Sequence, residues 1–183
     1  MTANPKWPEI TAALLEHQTS WDRPDLVAHV FELKRRALMH EVKNEEIFGR
    51  KVAHVFTIEF QKRGLPHMHA LFFLHSPDKI QTTAQVDRLV SAEFPDPSTD
   101  PTLYETVKSC MVHGPCGSRN PFSTCMVNGA CRFHYPKSFA DSTTMDEHGY
   151  PVYRRRCNGH SYTTRGHTFD NRDVVPYNPH LSR

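Results

Sequence analysis

Two neighbouring segments, residues 52–60 and 67–74, have the apolar and alternating pattern of paired β-strands and most constrain how this chain folds. The second segment carries His67 and His69. Residues two apart on a strand project to the same face, so both imidazoles point to one side while Met68 points to the other. The sequence therefore predicts a hairpin with a pair of imidazoles on one face.

The first of these strands supplies oxygen ligands for the same face. Glu59 lies on its polar side, and Gln61 follows on that side just after the strand. An antiparallel turn across residues 62–66 brings either side chain towards His67 and His69. Two nitrogens with one or two oxygens suit Mg²⁺ or Mn²⁺ with open positions, whereas Zn²⁺ is less demanded by this mixture. The alternative is a strand that carries two histidines for packing or hydrogen bonding.

Cysteine residues in a loop rich in Gly, Pro and Asn form a second candidate metal site. Three thiolates and an imidazole are a common ligand set for structural zinc. Cys110 and His134 are alternative ligands, and Cys157 lies apart as an ordinary thiol. Five cysteines and no secretory signal disfavour disulfides and indicate an intracellular protein, although unlinked loop thiols remain the alternative. The predicted zinc ligands are His113, Cys116, Cys125 and Cys131.

Basic residues are concentrated in the second half of the chain. Residues 101–183 carry 10 basic and 6 acidic side chains, whereas residues 1–100 carry 12 and 14. The Asn158-Gly159 pair predicts a hairpin between 150–156 and 161–164. Its cations and tyrosines suit single-stranded DNA, although a solvent-facing charged hairpin remains the alternative. The candidate DNA-binding residues are Lys62, Arg63, Arg154, Arg155, Arg156 and Arg165.

The remaining pattern predicts an α+β fold. An antiparallel sheet of four or five strands should carry the His-x-His strand, with helices packed on one face. We expect a Cys/His-rich loop module and a basic β-hairpin beside it, and no membrane span. The predicted helices are 8–17, 24–42, 82–93 and 101–112. The expected divisions are a core with the His-x-His site at 1–112, a zinc loop at 113–135 and a basic β-rich tail at 136–183.

Several longer sequence motifs resemble those of one family of mobile-element proteins. The stretches are NPKWPEI at 4–10, EFQKRGLPHMH at 59–69, MVHGPCG at 111–117 and DEHGYPVYRRR at 146–156. Together they resemble the replication-initiator nuclease region of Helitron transposases, which is also called the Helitron helicase-like domain. The resemblance extends from Asn4 to about Pro179.

The resemblance implies a single-strand DNA endonuclease of the His-hydrophobic-His (HUH) class, which acts in rolling-circle transposition. In such enzymes a divalent metal polarises the scissile phosphate and a tyrosine attacks it. By motif match, His67 and His69 are metal ligands, with Gln61 as the third and Glu59 as the alternative. The implied partners are single-stranded DNA and the helicase domain of a longer parent protein, and the implied location is the nucleus.

The chain also departs from the family pattern. None of its six tyrosines forms the Tyr-x3-Tyr pair of these nucleases, and no phosphate-binding loop of a helicase motor is present. The start and the end both look clipped relative to the family. We therefore expect a fragment of the transposase that lacks the catalytic tyrosines. The alternative is an inactive DNA-binding remnant stabilised by zinc.

Overall fold

The computed structural model describes residues 1–61, 64–164 and 166–182 of the chain. The chain forms two compact units, Met1–Lys79 and Ile80–Arg183. The division falls before the helix at Thr83–Leu89, and the expected divisions after residues 112 and 135 stay predictions. Within the described residues, no helix has both the length and the apolar character needed to cross a membrane.

Two helices open the first unit. Helix α1 spans Pro8–Thr11 and helix α2 spans Pro24–Asn44, each with proline in its first turn. The expectation for 24–42 is confirmed, but the helix expected at 8–17 ends early. Local turns compete with it there, since the Leu15 N–H donates to the Gln18 side chain at 3.2 Å.

The hairpin of the first unit pairs β1, Lys51–Phe60, with β2, Pro66–Leu74, in antiparallel register. Met68 of β2 is buried against an apolar cluster that includes Ile10 and Phe31 of the two helices. This confirms an α+β arrangement with helices on one face. The sheet itself has two strands, not the four or five expected, because the other described strands pair locally in hairpins of their own.

The second unit begins with α3, Thr83–Leu89, and α4, Pro101–Cys110. Thr82 and Asp100 cap these helices with their side chains. Both helices are shorter than expected, because the residues that follow each one form backbone hydrogen bonds with a distant segment of the chain. Two isolated bridges, Ser91 with Tyr177 and Val112 with Val174, take over there.

Among the described residues of the second unit, three small hairpins follow: β3 (Met126–Val127) with β4 (Ala130–Cys131), β5 (Thr144–Met145) with β6 (Pro151–Val152), and β7 (Ser161–Thr164) with β8 (His167–Asp170). The prediction that 150–156 pairs with 161–164 is therefore wrong. Asp146 accepts the backbone N–H groups of His148 and Tyr150, which turns β6 back onto β5. Asn158 instead accepts the His160 N–H in a local turn.

Candidate functional site

The strand register places the predicted His-x-His residues on the face opposite the helices. Glu59 of β1 lies directly across from His67 of β2, and Thr57 lies across from His69. Directly opposed residues of an antiparallel pair project to the same face. Because Met68 points into the core, the face that carries the histidines is the outer one.

Glu59, His67 and His69 form a compact cluster on this face. One potential ligand atom from each residue lies within 4.8 Å of the other two. Nε2 of His69 is 3.1 Å from Oε1 of Glu59, and the two imidazole centroids are 4.4 Å apart. The structure thus brings together two nitrogens and one carboxylate, as the sequence predicts for Glu59.

The electrostatics of the cluster favour neutral imidazole at His67. Burial is the largest cause that lowers the pKa of His67, followed by the positive charge of the chain's amino terminus and by His69. Glu59 opposes this shift. Neutral imidazole is the form that binds a metal, so the environment suits a ligand role at neutral pH.

Gln61, the third ligand implied by the family, lies just past β1. Its backbone closes the turn: its N–H donates to the Leu65 carbonyl at 3.0 Å, and its carbonyl accepts the Gly64 N–H at 2.7 Å. Among the contacts of the described residues, Glu59 and not Gln61 reaches the histidine pair. The candidate DNA-binding residues Lys62 and Arg63, in the same loop, lie outside the described residues.

The donor set of this cluster fits a divalent cation with open positions. A carboxylate and two imidazoles leave several sites of a six-coordinate Mg²⁺ or Mn²⁺ free for water or phosphate. The side chains of His69 and Glu59 are 63% and 59% exposed, so a large anionic ligand has access to them. The arrangement can therefore hold a Lewis acid against a substrate.

The predicted zinc residues also meet, in the second unit. Ligand atoms of His113, Cys116, Cys125 and Cys131 lie within 4.8 Å of one another. The β3–β4 hairpin positions two of the thiols, and it turns through Asn128 and Gly129, both with positive φ. This left-handed pair is the turn that two-residue hairpins prefer.

The interior of the second cluster is buried and rich in sulfur. The three cysteine side chains are buried, and His113 stacks on Tyr135 with a centroid distance of 4.3 Å and an interplanar angle of 20°. Burial is the main cause that raises the pKa of Cys116 to about 12, and the thiols of Cys131 and Cys125 add to it. The raised pKa favours the protonated thiol. A metal cation bound among the three sulfur atoms reverses this preference, because a coordinating thiol is deprotonated.

The alternative ligands stay outside this cluster. Cys110 and Cys157 are exposed thiols, and His134 is exposed with a left-handed backbone next to the β4 strand. Three thiolates and one imidazole form a closed set of four, which is the usual composition of a structural zinc site. The Cys/His set of the second unit therefore fits zinc.

The arginine run of the predicted DNA surface is mostly engaged within the protein. Arg155 is 4% exposed, and its guanidinium donates to the carbonyls of Asn171 at 2.6 Å and Val174 at 2.7 Å. Arg156 and Arg154 both form ion pairs with Glu93. This placement does not suit Arg155 for a phosphate contact. Arg165 lies outside the described residues.

Sequence reasoning missed two residues that shape these sites. Thr2 contacts His67 through its hydroxyl, and Tyr135 covers the imidazole of His113. A signal for Thr2 was present only in the family resemblance, which implies that a strand ends just before Asn4. Tyr135 carried no comparable signal, since a stacking partner is chosen by the fold of the loop.

Comparison with known protein families bears on the first of these clusters. Residues 1–72 match the family model described as the Helitron helicase-like domain at the N-terminus. This range contains Glu59, His67 and His69 and ends before the Cys/His cluster. No curated protein matches the chain. Residues 1–72 are therefore identified as a Helitron helicase-like N-terminal domain, which confirms the resemblance for this part of the chain.

Proposed function

We propose that this chain carries the metal-binding part of a Helitron-type single-strand DNA endonuclease and strand transferase. The observation that carries the proposal is the Glu59, His67 and His69 cluster, which lies inside the segment matched by the family. Two imidazoles and a carboxylate on an open strand face have the composition of a catalytic site, because coordination positions remain for substrate.

The cluster has the ligands and the exposure that a metal-dependent phosphate site needs. His67, His69 and Glu59 would hold a divalent Mg²⁺ or Mn²⁺, which would supply Lewis-acid polarisation of an oxygen of the scissile phosphate. The face around them is solvent-accessible, so an extended single strand reaches it without displacing a helix. Their side chains arise from a two-stranded hairpin, which fixes the spacing of the ligands.

The attacking nucleophile of the family is a tyrosine, and this chain offers none in the expected pair. Tyr177 is buried, and its hydroxyl donates to the Glu93 carbonyl at 2.9 Å. A phenol held in this way has no access to a phosphate. We therefore propose that the chain binds single-stranded DNA and metal but forms no covalent adduct with DNA.

A second candidate function rests on the Cys/His set. A closed zinc site stabilises a loop segment with little core, which suits a DNA-binding remnant as well as an enzyme. The two proposals differ in the role of the His-x-His cluster. If the chain is such a remnant, replacing His67 and His69 leaves its affinity for DNA unchanged, both with and without Mn²⁺.

Calorimetric titration of the full chain with Mn²⁺ tests the metal site. We expect binding by the wild-type protein and loss of it in the double variant His67→Ala and His69→Ala. The matched control is His17→Ala with His29→Ala, which removes two exposed imidazoles of the same unit outside the cluster. Unchanged binding in the first variant would place the metal elsewhere and overturn the proposal.

A labelled single-stranded oligonucleotide tests the DNA half of the proposal. We expect binding that weakens as salt concentration rises, because phosphate contacts release counterions. On a denaturing gel with Mn²⁺ present, no shifted band is expected. A shifted band that protease removes would show that a tyrosine of this chain attacks DNA.

A further inference from the structure

The imidazole of His67 has a polar neighbour outside the cluster. The hydroxyl oxygen of Thr2 lies 2.5 Å from Nδ1 of His67. Thr2 and His67 also form an antiparallel backbone bridge, so their side chains lie next to each other on the same face. Strand pairing therefore places the two side chains within reach of each other.

Backbone hydrogen bonds on both sides of Thr2 hold this contact in place. The Ala3 N–H donates to the Pro66 carbonyl at 2.9 Å, and the Met68 N–H donates to the Met1 carbonyl at 2.8 Å. Ala3 is buried in the same apolar cluster as Met68. The Thr2 hydroxyl thus sits on a segment that is fixed to the histidine strand.

The direction of this hydrogen bond decides which ring nitrogen of His67 is available to a metal. A neutral imidazole carries one N–H and one lone pair, and a metal takes the lone pair. If the threonine oxygen accepts Nδ1–H, then Nε2 keeps its lone pair for a ligand. Metal-binding histidines commonly hold their second nitrogen in such a hydrogen bond, which orients the ring.

The geometry points to Thr2 as a positioning residue that holds the Nδ1–H tautomer of His67 and presents Nε2 to a divalent cation. The inference rests on the proposed function, because it concerns a ligand of the same cluster. It also makes the two histidines unequal. His69 turns its Nε2 towards Glu59 at 3.1 Å, and no described hydrogen bond reaches its Nδ1.

The first test needs no metal. The ¹⁵N spectrum of imidazoles in the full-length labelled chain distinguishes the two tautomers at about pH 8, where an ordinary imidazole is neutral. The His67 signal is assigned by its loss in His67→Gln. We expect the Nδ1–H form in the wild type and in Thr2→Ser, and a shift towards the Nε2–H form in Thr2→Val. A wild-type Nε2–H tautomer, or an identical one in Thr2→Val, would overturn the inference.

The second test measures Mn²⁺ affinity by calorimetry. Loss of a partner of this kind typically lowers metal affinity about 10–100-fold, and we expect that loss in Thr2→Val with recovery in Thr2→Ser. The matched control is Thr57→Val, whose hydroxyl lies on the same face and makes no described hydrogen bond to either histidine. Equal or tighter binding by Thr2→Val refutes the inference.

The two tests separate the inference from the proposed function. If the wild-type chain binds no Mn²⁺, the proposed function fails, and the tautomer of the metal-free protein still decides whether Thr2 holds His67. If the wild type binds Mn²⁺ and Thr2→Val binds it equally well, the proposed function stands and the inference alone is wrong.

Discussion

Glu93 accepts both the backbone N–H and the guanidinium of Arg156, with donor–acceptor distances from 2.6 to 3.3 Å. The Glu93 side chain is 7% exposed, whereas that of Arg156 is half exposed. Arg154 approaches the same carboxylate at 3.4 Å. One buried acid therefore fixes the segment that the sequence predicted as a free basic strand.

Substitution Glu93→Gln should destabilise the second unit. It removes the charge that satisfies Arg156 and leaves a buried hydrogen-bond arrangement incomplete, at a cost of about 1–3 kcal/mol in the free energy of unfolding. Urea denaturation measures the loss. The control is Glu105→Gln, which breaks an exposed pair with Lys108 and should cost less than about 1 kcal/mol. Equal losses in the two variants would contradict the buried role of Glu93.

The same carboxylate should make stability depend on pH. Burial raises the pKa of Glu93, but the hydrogen bonds and charge of Arg156 outweigh it and hold the pKa below the ordinary value of 4.5. As pH falls, the unfolded chain takes up the proton before the folded one. The contribution of Glu93 to the free energy of unfolding is therefore complete above pH 4.5 and is lost as pH falls through the lower pKa of the folded state. The acid loss of stability should be smaller in Glu93→Gln than in the wild type. Parallel stability curves against pH would exclude this assignment.

Arg155 should behave as a structural residue and not as a DNA contact. Arg155→Ala leaves the carbonyls of Asn171 and Val174 without their donor, and we expect a loss of about 2 kcal/mol or more in unfolding free energy. Arg132→Ala, at an exposed position, is the control. Urea denaturation and oligonucleotide binding are measured on both. A stable Arg155→Ala protein with weakened DNA binding would reverse the assignment.

Zinc should be lost with the thiols that line the second cluster. Elemental analysis of the wild type should return about one zinc per chain, since four ligands form one closed site. Cys125→Ser should lose the zinc and melt at a lower temperature, because metal binding and folding of such loops are coupled. Cys157→Ser, an exposed thiol outside the cluster, should keep both zinc and melting temperature. Loss of zinc in both variants, or its absence from the wild type, would contradict the site.

The first cluster could be predicted because its signals are local. Strand periodicity alone puts His67 and His69 on one face, and a hairpin of that length brings Glu59 across from them. The choice between Glu59 and Gln61 was beyond the sequence, because it depends on the residue at which the turn closes. The Gln61 backbone is used for that closure.

The prediction of a basic hairpin was wrong for a different reason. Two turn signals compete there, at Asp146 to Gly149 and at Asn158-Gly159, and the sequence does not rank them. The pairing of Arg156 with Glu93 joins residues 63 apart in the chain and removes the arginine segment from any local hairpin. Contacts at that separation leave no periodic trace, so the tertiary structure overrode the local preference.

Strand β1 has a consequence for handling the protein in concentrated solution. Among the described strands only β2 pairs with it, and large apolar side chains along it are exposed, with Val52 71% and Phe60 66% accessible. An uncovered edge that is also apolar is a template for addition of a second chain. Association of chains through β1 should therefore limit the solubility of the folded protein. The substitution Val55→Lys, at an exposed position of this strand, should reduce that association.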